Sequence, residues 1–151
     1  MLELARESDW EAVRRLSVQI HDLHAAWRPD IYCHSKEPYS KEKFLEDIQN
    51  RLVYVAKVQN IIVGYAVLSI RNKCGPGIVE KKQMLLNSIC VDENLRKQGI
   101  GKEMMADIYA LSRAFGCTEL LLGVHPENNT AIAFYQKCGF QIQTIHMQAK
   151  V

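Results

Sequence analysis

The six residues from Arg96 to Gly101, which read Arg-Lys-Gln-Gly-Ile-Gly, are the clearest chemical feature of this chain. They follow an apolar run over residues 85–91 that predicts a strand. They open a helix with apolar residues at helical spacing over residues 100–115. At a helix start the backbone N–H groups are free and the helix dipole favours negative charge. The two glycines leave room for a bulky anion, and Arg96 and Lys97 add positive charge. The turn therefore predicts a pyrophosphate site.

Two other phosphate-binding loops do not fit this stretch. A Walker A loop ends in Gly-Lys-Ser or Gly-Lys-Thr, whereas Gly101 and Lys102 are followed here by Glu103. A dinucleotide-binding fingerprint needs G-x-G-x-x-G, and Met104 stands at the last glycine position. The pattern that remains is R-x-x-G-x-G.

A second block lies between residues 120 and 140. Residues 120–124 form an apolar run that predicts a buried strand, and a cluster of turn residues separates it from a short helix. The helical part follows the pattern N-x-x-A-x-x-x-Y-x-x-x-G-F, with Asn128, Tyr135 and Gly139 among its fixed positions. Asn128 is also a good helix N-cap, and Gly139 suits a helix end that needs a positive φ.

Together, in this order, the two blocks resemble the GNAT acetyltransferase superfamily, whose R-x-x-G-x-G turn binds the pyrophosphate of acetyl-CoA. The resemblance covers about residues 52–149 well. It implies an acetyl-CoA-dependent N-acetyltransferase that moves an acetyl group to an amine by direct attack in a ternary complex. Acetyl-CoA is the implied co-substrate and an amine is the implied acceptor. Because GNAT proteins are often dimers, a homodimer is a possible assembly.

The resemblance also implies where acetyl-CoA binds. Backbone groups of Ile89 and Val91, which flank Cys90, would pair with the pantetheine arm or the acetyl group, and the Ile89 N–H would stabilise the developing oxyanion. Asn128 would reach the pantetheine arm. Tyr135 would protonate the leaving thiolate as general acid, since a phenol pKa of about 10 matches that of a thiol. The residues expected around the pyrophosphate are Arg96, Lys97, Gln98, Gly99, Ile100, Gly101 and Lys102.

No carboxylate stands where a base for the acceptor ammonium is expected. Leu85, Asn87 and Ile89 are predicted on the inner face of the strand before the cofactor turn. Gly123 stands on the next strand, where some N-terminal-amine acetyltransferases carry a glutamate. A water relay is one alternative. The side chains that remain as candidates are His21, Asp22 and His24 on the first helix, and Glu80 before the fourth strand.

Acceptor contacts are expected from the first helix and from the loop after it, because this region forms one wall of the acceptor groove in GNAT folds. The contacts expected are His24, Arg28, Asp30 and Tyr32, together with His125 after the fifth strand. Other interpretations stay open. His21 and His24 could be solvated residues at the edge of the apolar stripe, and Arg28-Pro29-Asp30 could be a helix stop with a local salt bridge.

Length and composition indicate one domain over residues 1–151. The hydrophobic content of 48% and charged content of 24% are globular values, and a net charge of +2 does not indicate a nucleic-acid partner. There is no apolar run of membrane-spanning length and no secretion signal. The five scattered cysteines favour reduced thiols in a cytoplasmic protein, with no metal site expected.

The patterns along the chain predict a mixed α/β (α+β) fold in the GNAT order βααβββαβαβ, with a mostly antiparallel central sheet flanked by helices. The last strand rests on the alternation of Ile142, Thr144, His146 and Gln148 with the residues between them. The predicted strands are 2–5, 52–58, 61–71, 82–91, 120–124 and 140–149, and the predicted helices are 9–26, one capped by Ser40, 100–115 and a short one after 128.

Two other functions remain open. A non-catalytic CoA-binding or regulatory module would keep the fold without the chemistry; the missing base favours it and the presence of Tyr135 opposes it. A nucleic-acid-binding domain would use Arg96, Lys97 and Lys102 on phosphates, but this needs a broad basic face. The acids that interrupt that face are Glu93, Glu103 and Asp107.

Overall fold

The computed structural model describes residues 1–151 and contains one five-stranded mixed sheet in the order β1-β2-β3-β4-β5. The first three strand pairs are antiparallel, and β4 and β5 are parallel. This confirms the predicted fold class. None of the helices combines the length and the apolar character needed to cross a membrane. The strands are β1 (Leu2–Leu4), β2 (Val53–Val58), β3 (Ile61–Lys73), β4 (Lys81–Val91) and β5 (Glu119–Leu122), and the helices are α1 (Trp10–Trp27), α2 (Lys41–Gln49), α3 (Ile100–Ala114) and α4 (Asn129–Lys137).

Helices cover both faces of the sheet because alternate strand residues point to opposite sides. On β2, Val53 and Val55 face α1 and α2, whereas Tyr54 and Ala56 face α3. The core on the α1–α2 side is built from Trp10, Val13, Leu16, Phe44, Val53, Val55, Tyr65, Val67 and Cys90. The core on the α3 side is built from Tyr54, Ala56, Val63, Ala66, Leu68, Met84, Leu86, Ile100, Met104, Met105 and Ile108.

The parallel strands β4 and β5 pair over only part of their length. Their register runs from Gln83 opposite Glu119 to Leu86 opposite Leu122, where β5 ends. Strand β4 continues to Val91 with only β3 as its neighbour. The end of β4 therefore has one edge without a strand partner, and its backbone groups on that edge are open to a ligand except the Val91 carbonyl, which accepts a hydrogen bond from Arg96.

A β-bulge in β4 changes which residues face which helix. The pairing with β3 passes from Val67 opposite Ser88 to Leu68 opposite Leu86, so Asn87 is an extra residue. As a result Leu86 and Ile89 both contact the core on the α3 side, and Cys90 packs on the α1–α2 side. The prediction that Leu85, Asn87 and Ile89 share one inner face is wrong, because it assumed uninterrupted alternation.

The predicted last strand over residues 140–149 is also wrong. Residues 141–149 belong to no regular element and form no backbone hydrogen bond. Ile142 and Ile145 are 76% and 75% exposed. Alternating side chains are compatible with a strand, but a strand also needs a neighbour that supplies N–H and C=O groups, and the sheet ends at β5. The observed order is therefore βααβββαβα.

Candidate active site

The turn between β4 and α3 presents a run of unpaired backbone donors. Lys97 and Gly99 have φ angles of 64° and 89°, and Gly99 is the N-cap of α3. The hydrogen bonds of the helix begin with the N–H groups of Lys102 and Glu103, which donate to the Gly99 carbonyl at 3.0 and 3.1 Å. The five N–H groups from Lys97 to Gly101 donate to no protein acceptor. Such a run at a helix N-terminus is suited to an anion.

The two glycines of the turn differ in their surroundings. A Cβ atom on Gly99 would meet nothing within 4 Å, so this position opens onto free space. A Cβ on Gly101 would lie 3.4 Å from the Phe134 ring and 3.8 Å from Val91. Both distances at Gly101 are ordinary van der Waals contacts, so Gly101 lies against α4 and the end of β4, whereas Gly99 faces open space.

Positive charge surrounds the turn. The Arg96 Nε atom donates to the Val91 carbonyl at 3.1 Å, which holds this side chain beside the end of β4. Lys97 and Lys102 are exposed, and none of these three cations forms a salt bridge. The exposed Gln98 lies between Lys97 and Gly99. An anion at this turn would meet cations that no protein carboxylate neutralises.

The end of β4 is separated from this turn by residues 92–95. Ile89 and Val91 pack against the core on the α3 side, so their contribution to a ligand would come from the backbone. Cys90 is buried, and its thiol donates to the Leu16 carbonyl at 3.4 Å. Burial raises the pKa of the Cys90 thiol to about 11, which keeps it protonated at neutral pH. The Cys90 side chain is thus a packing group and a poor nucleophile.

Helix α4 positions Asn128 and Tyr135. The Asn128 Oδ1 atom accepts from the Ala131 N–H at 3.0 Å, so Asn128 caps the helix and its amide N–H₂ group remains free. The Tyr135 ring packs between Phe134 and Phe140, with centroids 5.4 and 5.7 Å away, and its hydroxyl bonds to no protein atom. Burial raises the pKa of Tyr135 to about 12, with Cys138 as a second cause. The phenol therefore keeps its proton at neutral pH, and it is a weaker acid than a free tyrosine.

Four residues predicted as bases or acceptor contacts lie together near the end of α1. The Tyr32 N–H donates to the Arg28 carbonyl at 2.9 Å, which turns the chain back beside the helix. The Tyr32 ring lies 5.8 Å from His21, 5.5 Å from His24 and 5.6 Å from His125. The Tyr32 hydroxyl and His125 Nε2 form a 2.8 Å hydrogen bond. We call His21, His24, Tyr32 and His125 the histidine–tyrosine cluster.

Arg28 and Asp30 neutralise each other. The Arg28 Nε and Nη2 atoms donate to the two Asp30 oxygens at 2.9 and 2.8 Å, and Arg28 also donates to Gln148 at 3.2 Å. The guanidinium lowers the pKa of the Asp30 carboxyl to about 2. The local salt bridge considered for this Arg-Pro-Asp stretch is therefore present, and both side chains are already engaged.

The other carboxylates considered as bases lie elsewhere. Asp22 faces His34 at 3.7 Å on the exposed side of α1, and Glu80 precedes β4 at the end opposite Val91. No group of three or more His, Cys, Asp or Glu side chains is arranged to hold a metal ion. The structure thus brings no candidate carboxylate to the histidine–tyrosine cluster.

A group of hydrogen-bonded polar side chains on the α1–α2 side of the sheet was not predicted from the sequence. The Tyr39 and Tyr65 rings stack with centroids 6.4 Å apart, and the Tyr65 hydroxyl is 3.1 Å from the Ser88 hydroxyl. Tyr39 donates to the buried Asp47 carboxylate at 2.7 Å. The available signal was a tyrosine at the centre of the apolar strand β3, because a buried phenol needs a polar partner.

The sequence and fold of this chain are similar to those of known acetyltransferases. The sequence profile described as "Acetyltransferase (GNAT) family" matches residues 17–140. An uncharacterized N-acetyltransferase, YvbK of Bacillus subtilis, is 30% identical over 106 residues, which are 70% of this chain and 63% of that protein. An aminoglycoside N(6')-acetyltransferase type 1 of Salmonella typhimurium is 26% identical over 88 residues, 58% of this chain and 61% of that protein. The chain thus spans less than two thirds of the length of these relatives.

Solved structures share the fold. A tetramutant of the BH1408 protein from Bacillus halodurans has a TM-score of 0.95 at 25% identity, covering 100% of this chain and 99% of that one. The aminoglycoside N-acetyltransferase AAC(6')-Iy, solved in complex with CoA, has a TM-score of 0.70 at 21% identity over 100% of both chains. The profile match covers most of the sequence and ends at Phe140, the last residue of the second motif block. This chain therefore belongs to the GNAT acetyltransferase family.

Proposed function

We propose that this protein is an acetyl-CoA-dependent N-acetyltransferase whose residues 1–151 act as one catalytic domain. The observation that carries the proposal is the run of five unpaired N–H groups from Lys97 to Gly101 beside the open edge of β4. Relatives named as N-acetyltransferases and a fold neighbour solved with CoA support it. The chain offers both a helix N-terminus for a pyrophosphate and a strand edge for an extended amide-containing arm.

In this proposal acetyl-CoA binds along the end of β4, beyond the point where its pairing with β5 stops. Its pyrophosphate accepts hydrogen bonds from the turn, with Arg96, Lys97 and Lys102 as surrounding cations. Its pantetheine amides pair with backbone groups of residues 89–91, and the free Asn128 amide donates to the same arm. The Ile89 N–H stabilises negative charge that develops on the thioester carbonyl oxygen. Fixed backbone donors suit this role because they need no reorganisation during the reaction.

The proposed transfer is a direct attack by a neutral amine. The amine nitrogen forms a bond to the acetyl carbonyl carbon, and the C–S bond breaks with its electron pair moving to sulfur. The CoA thiolate then takes the proton of the Tyr135 hydroxyl. The nitrogen loses one proton when the amide forms, and this proton restores Tyr135. Tyr135 fits this role because it has no internal hydrogen-bond partner and stays protonated at neutral pH.

We propose a primary amine as the acceptor class. One relative is named as an aminoglycoside N(6')-acetyltransferase, and another, from Trypanosoma brucei brucei, is named as a glucosamine 6-phosphate N-acetyltransferase. The acceptor named for each of these two proteins is an amino sugar, whose primary amine would receive the acetyl group. In this proposal the histidine and tyrosine rings around Tyr32 line the acceptor site.

Release of CoA thiol in the presence of an amine tests the proposed function. We expect saturable acetyl-CoA binding by calorimetry and thiol release with at least one of kanamycin, glucosamine 6-phosphate, spermidine and a lysine peptide. Mass spectrometry should show the matching acetylated amine. Binding of acetyl-CoA without any turnover across a broad amine panel would favour a non-catalytic CoA-binding module. Absence of acetyl-CoA binding would contradict the proposal altogether.

A further inference from the structure

The histidine–tyrosine cluster combines three imidazoles and one phenol from two separate parts of the chain. His21 and His24 lie on α1, Tyr32 lies in the loop after it, and His125 follows β5. All four side chains are half-buried. No carboxylate lies within salt-bridge distance of any of the three imidazoles, since the only such histidine pair in the protein is His34 with Asp22. The cluster is thus polar and aromatic but has no built-in negative charge.

The hydrogen bonds of the cluster distinguish its three imidazoles. His21 Nε2 lies 2.7 Å from the Cys33 carbonyl, so this nitrogen is a donor. His125 Nε2 is engaged by the Tyr32 hydroxyl at 2.8 Å. His24 is the exception, because neither of its ring nitrogens bonds to a protein atom. His24 is therefore the only one of the three imidazoles with both ring nitrogens free of protein hydrogen bonds, so either nitrogen is open to a proton from a ligand.

The surroundings of His24 keep it neutral. The groups that face it are His21 and Trp27 from α1, Tyr32 from the following loop and His125 from the segment after β5. Burial lowers the pKa of His24, and its electrostatic interactions with the neighbouring His125 and His21 lower it further. A lowered pKa means that the neutral form already predominates at neutral pH. His24 can then accept a proton without first losing one.

We propose that His24 removes the proton from the acceptor ammonium, with Tyr32 and His125 as positioning residues that hold its ring. This inference rests on the proposed acetyl transfer. An N–H bond of the ammonium breaks, its electron pair stays on nitrogen, and the proton binds the free nitrogen of His24. Water takes that proton from the imidazolium after each turnover. One proton is released overall, since the proton given by Tyr135 is replaced from the amide nitrogen.

The pH profile of His24→Gln tests this role with an aliphatic amine such as spermidine or a lysine peptide. With His24 as base, neutral imidazole and ammonium both predominate from about pH 7 to about pH 9, so kcat/KM of the unmodified protein is nearly flat there. In His24→Gln no base is present, so only the unprotonated amine reacts. The unprotonated fraction of the amine is about one part in 10³ at neutral pH and rises about tenfold per pH unit. We expect a loss of about 100-fold near pH 7 that shrinks to a few-fold near pH 9.

A matched control separates chemistry from folding. His34→Gln removes an exposed imidazole from the same loop, and its activity and pH profile should remain those of the unmodified protein. Hydroxylamine provides a second control because it is uncharged at neutral pH and has no ammonium proton to remove. After the uncatalysed reaction of hydroxylamine with acetyl-CoA is subtracted, His24→Gln should acetylate hydroxylamine at nearly the normal enzymatic rate, and this activity also shows that the variant is folded and binds acetyl-CoA.

Tyr32→Phe tests the positioning role. It keeps the ring but removes the hydrogen bond to His125. We expect a loss smaller than that of His24→Gln, with an altered His24 titration by NMR of the imidazole resonances. A His24→Gln loss that is constant across pH and equal for hydroxylamine would overturn the inference, and so would full activity of His24→Gln. In both cases acetyl transfer itself would stand; only absence of any acetylation would contradict the proposed function.

Discussion

Replacing Tyr135 with Phe is expected to lower kcat by about 10²–10⁴-fold while changing acetyl-CoA affinity much less. The substitution keeps the ring that packs between Phe134 and Phe140 and removes only the hydroxyl, which bonds to no protein group. The thiolate would then leave without a proton donor. Steady-state kinetics with the best amine, together with calorimetry of acetyl-CoA, measure the two quantities separately.

Tyr109→Phe is the matched control for this prediction. Tyr109 is also half-buried and packs on Phe140, but its hydroxyl donates to the Cys138 carbonyl at 2.9 Å. Its loss should reduce the free energy of unfolding by about 1 kcal/mol and leave kcat nearly unchanged. If Tyr135→Phe retained most of kcat, the role of Tyr135 would be packing against the cofactor.

Gly99→Asp is expected to weaken acetyl-CoA binding by about 100-fold. A carboxylate at this open position would face the pyrophosphate, and two unit charges about 4 Å apart repel by about 4 kcal/mol near a protein surface. Solvent and salt reduce this repulsion, so the expected loss of acetyl-CoA affinity is smaller than the full repulsion energy would give. Calorimetry at low and high salt measures both the loss and its screening.

Gly77→Asp is the control for the backbone strain that Gly99→Asp introduces. Gly77 in the loop between β3 and β4 also has a positive φ, 72°, and open space around it. Gly77→Asp therefore introduces the same strain and charge far along the chain from the turn, and it should leave acetyl-CoA affinity unchanged. Equal affinity losses in the two variants, or none in Gly99→Asp, would mean that the pyrophosphate binds elsewhere.

The sequence predicted the parts of the site that depend on local patterns. The Arg96–Gly101 turn, the Asn128 cap and the place of Tyr135 on α4 are all set by residues close together in the chain. Local geometry at a helix start follows from glycine, capping residues and free N–H groups. These features can therefore be inferred without knowing the rest of the fold.

The features that the sequence missed depend on partners distant in the chain. The alternation over residues 140–149 could not show that no strand lies beside them. The bulge at Asn87 is visible only in the pairing with β3, and it moves Ile89 to the other face. The contact between Tyr32 and His125 joins residues 93 positions apart. Each of these features depends on contacts between residues distant in the chain, and the pattern of side chains along one segment does not show which distant segment it will contact.

A crystal structure of this protein with CoA bound is the most direct test of the account. We predict that the pyrophosphate oxygens accept hydrogen bonds from the N–H groups of Lys97 to Gly101 and that the pantetheine arm runs along residues 89–91. The CoA sulfur should lie within hydrogen-bond reach of the Tyr135 hydroxyl. It should also face the histidine–tyrosine cluster. A pyrophosphate bound away from this turn, or a sulfur distant from Tyr135, would contradict the account.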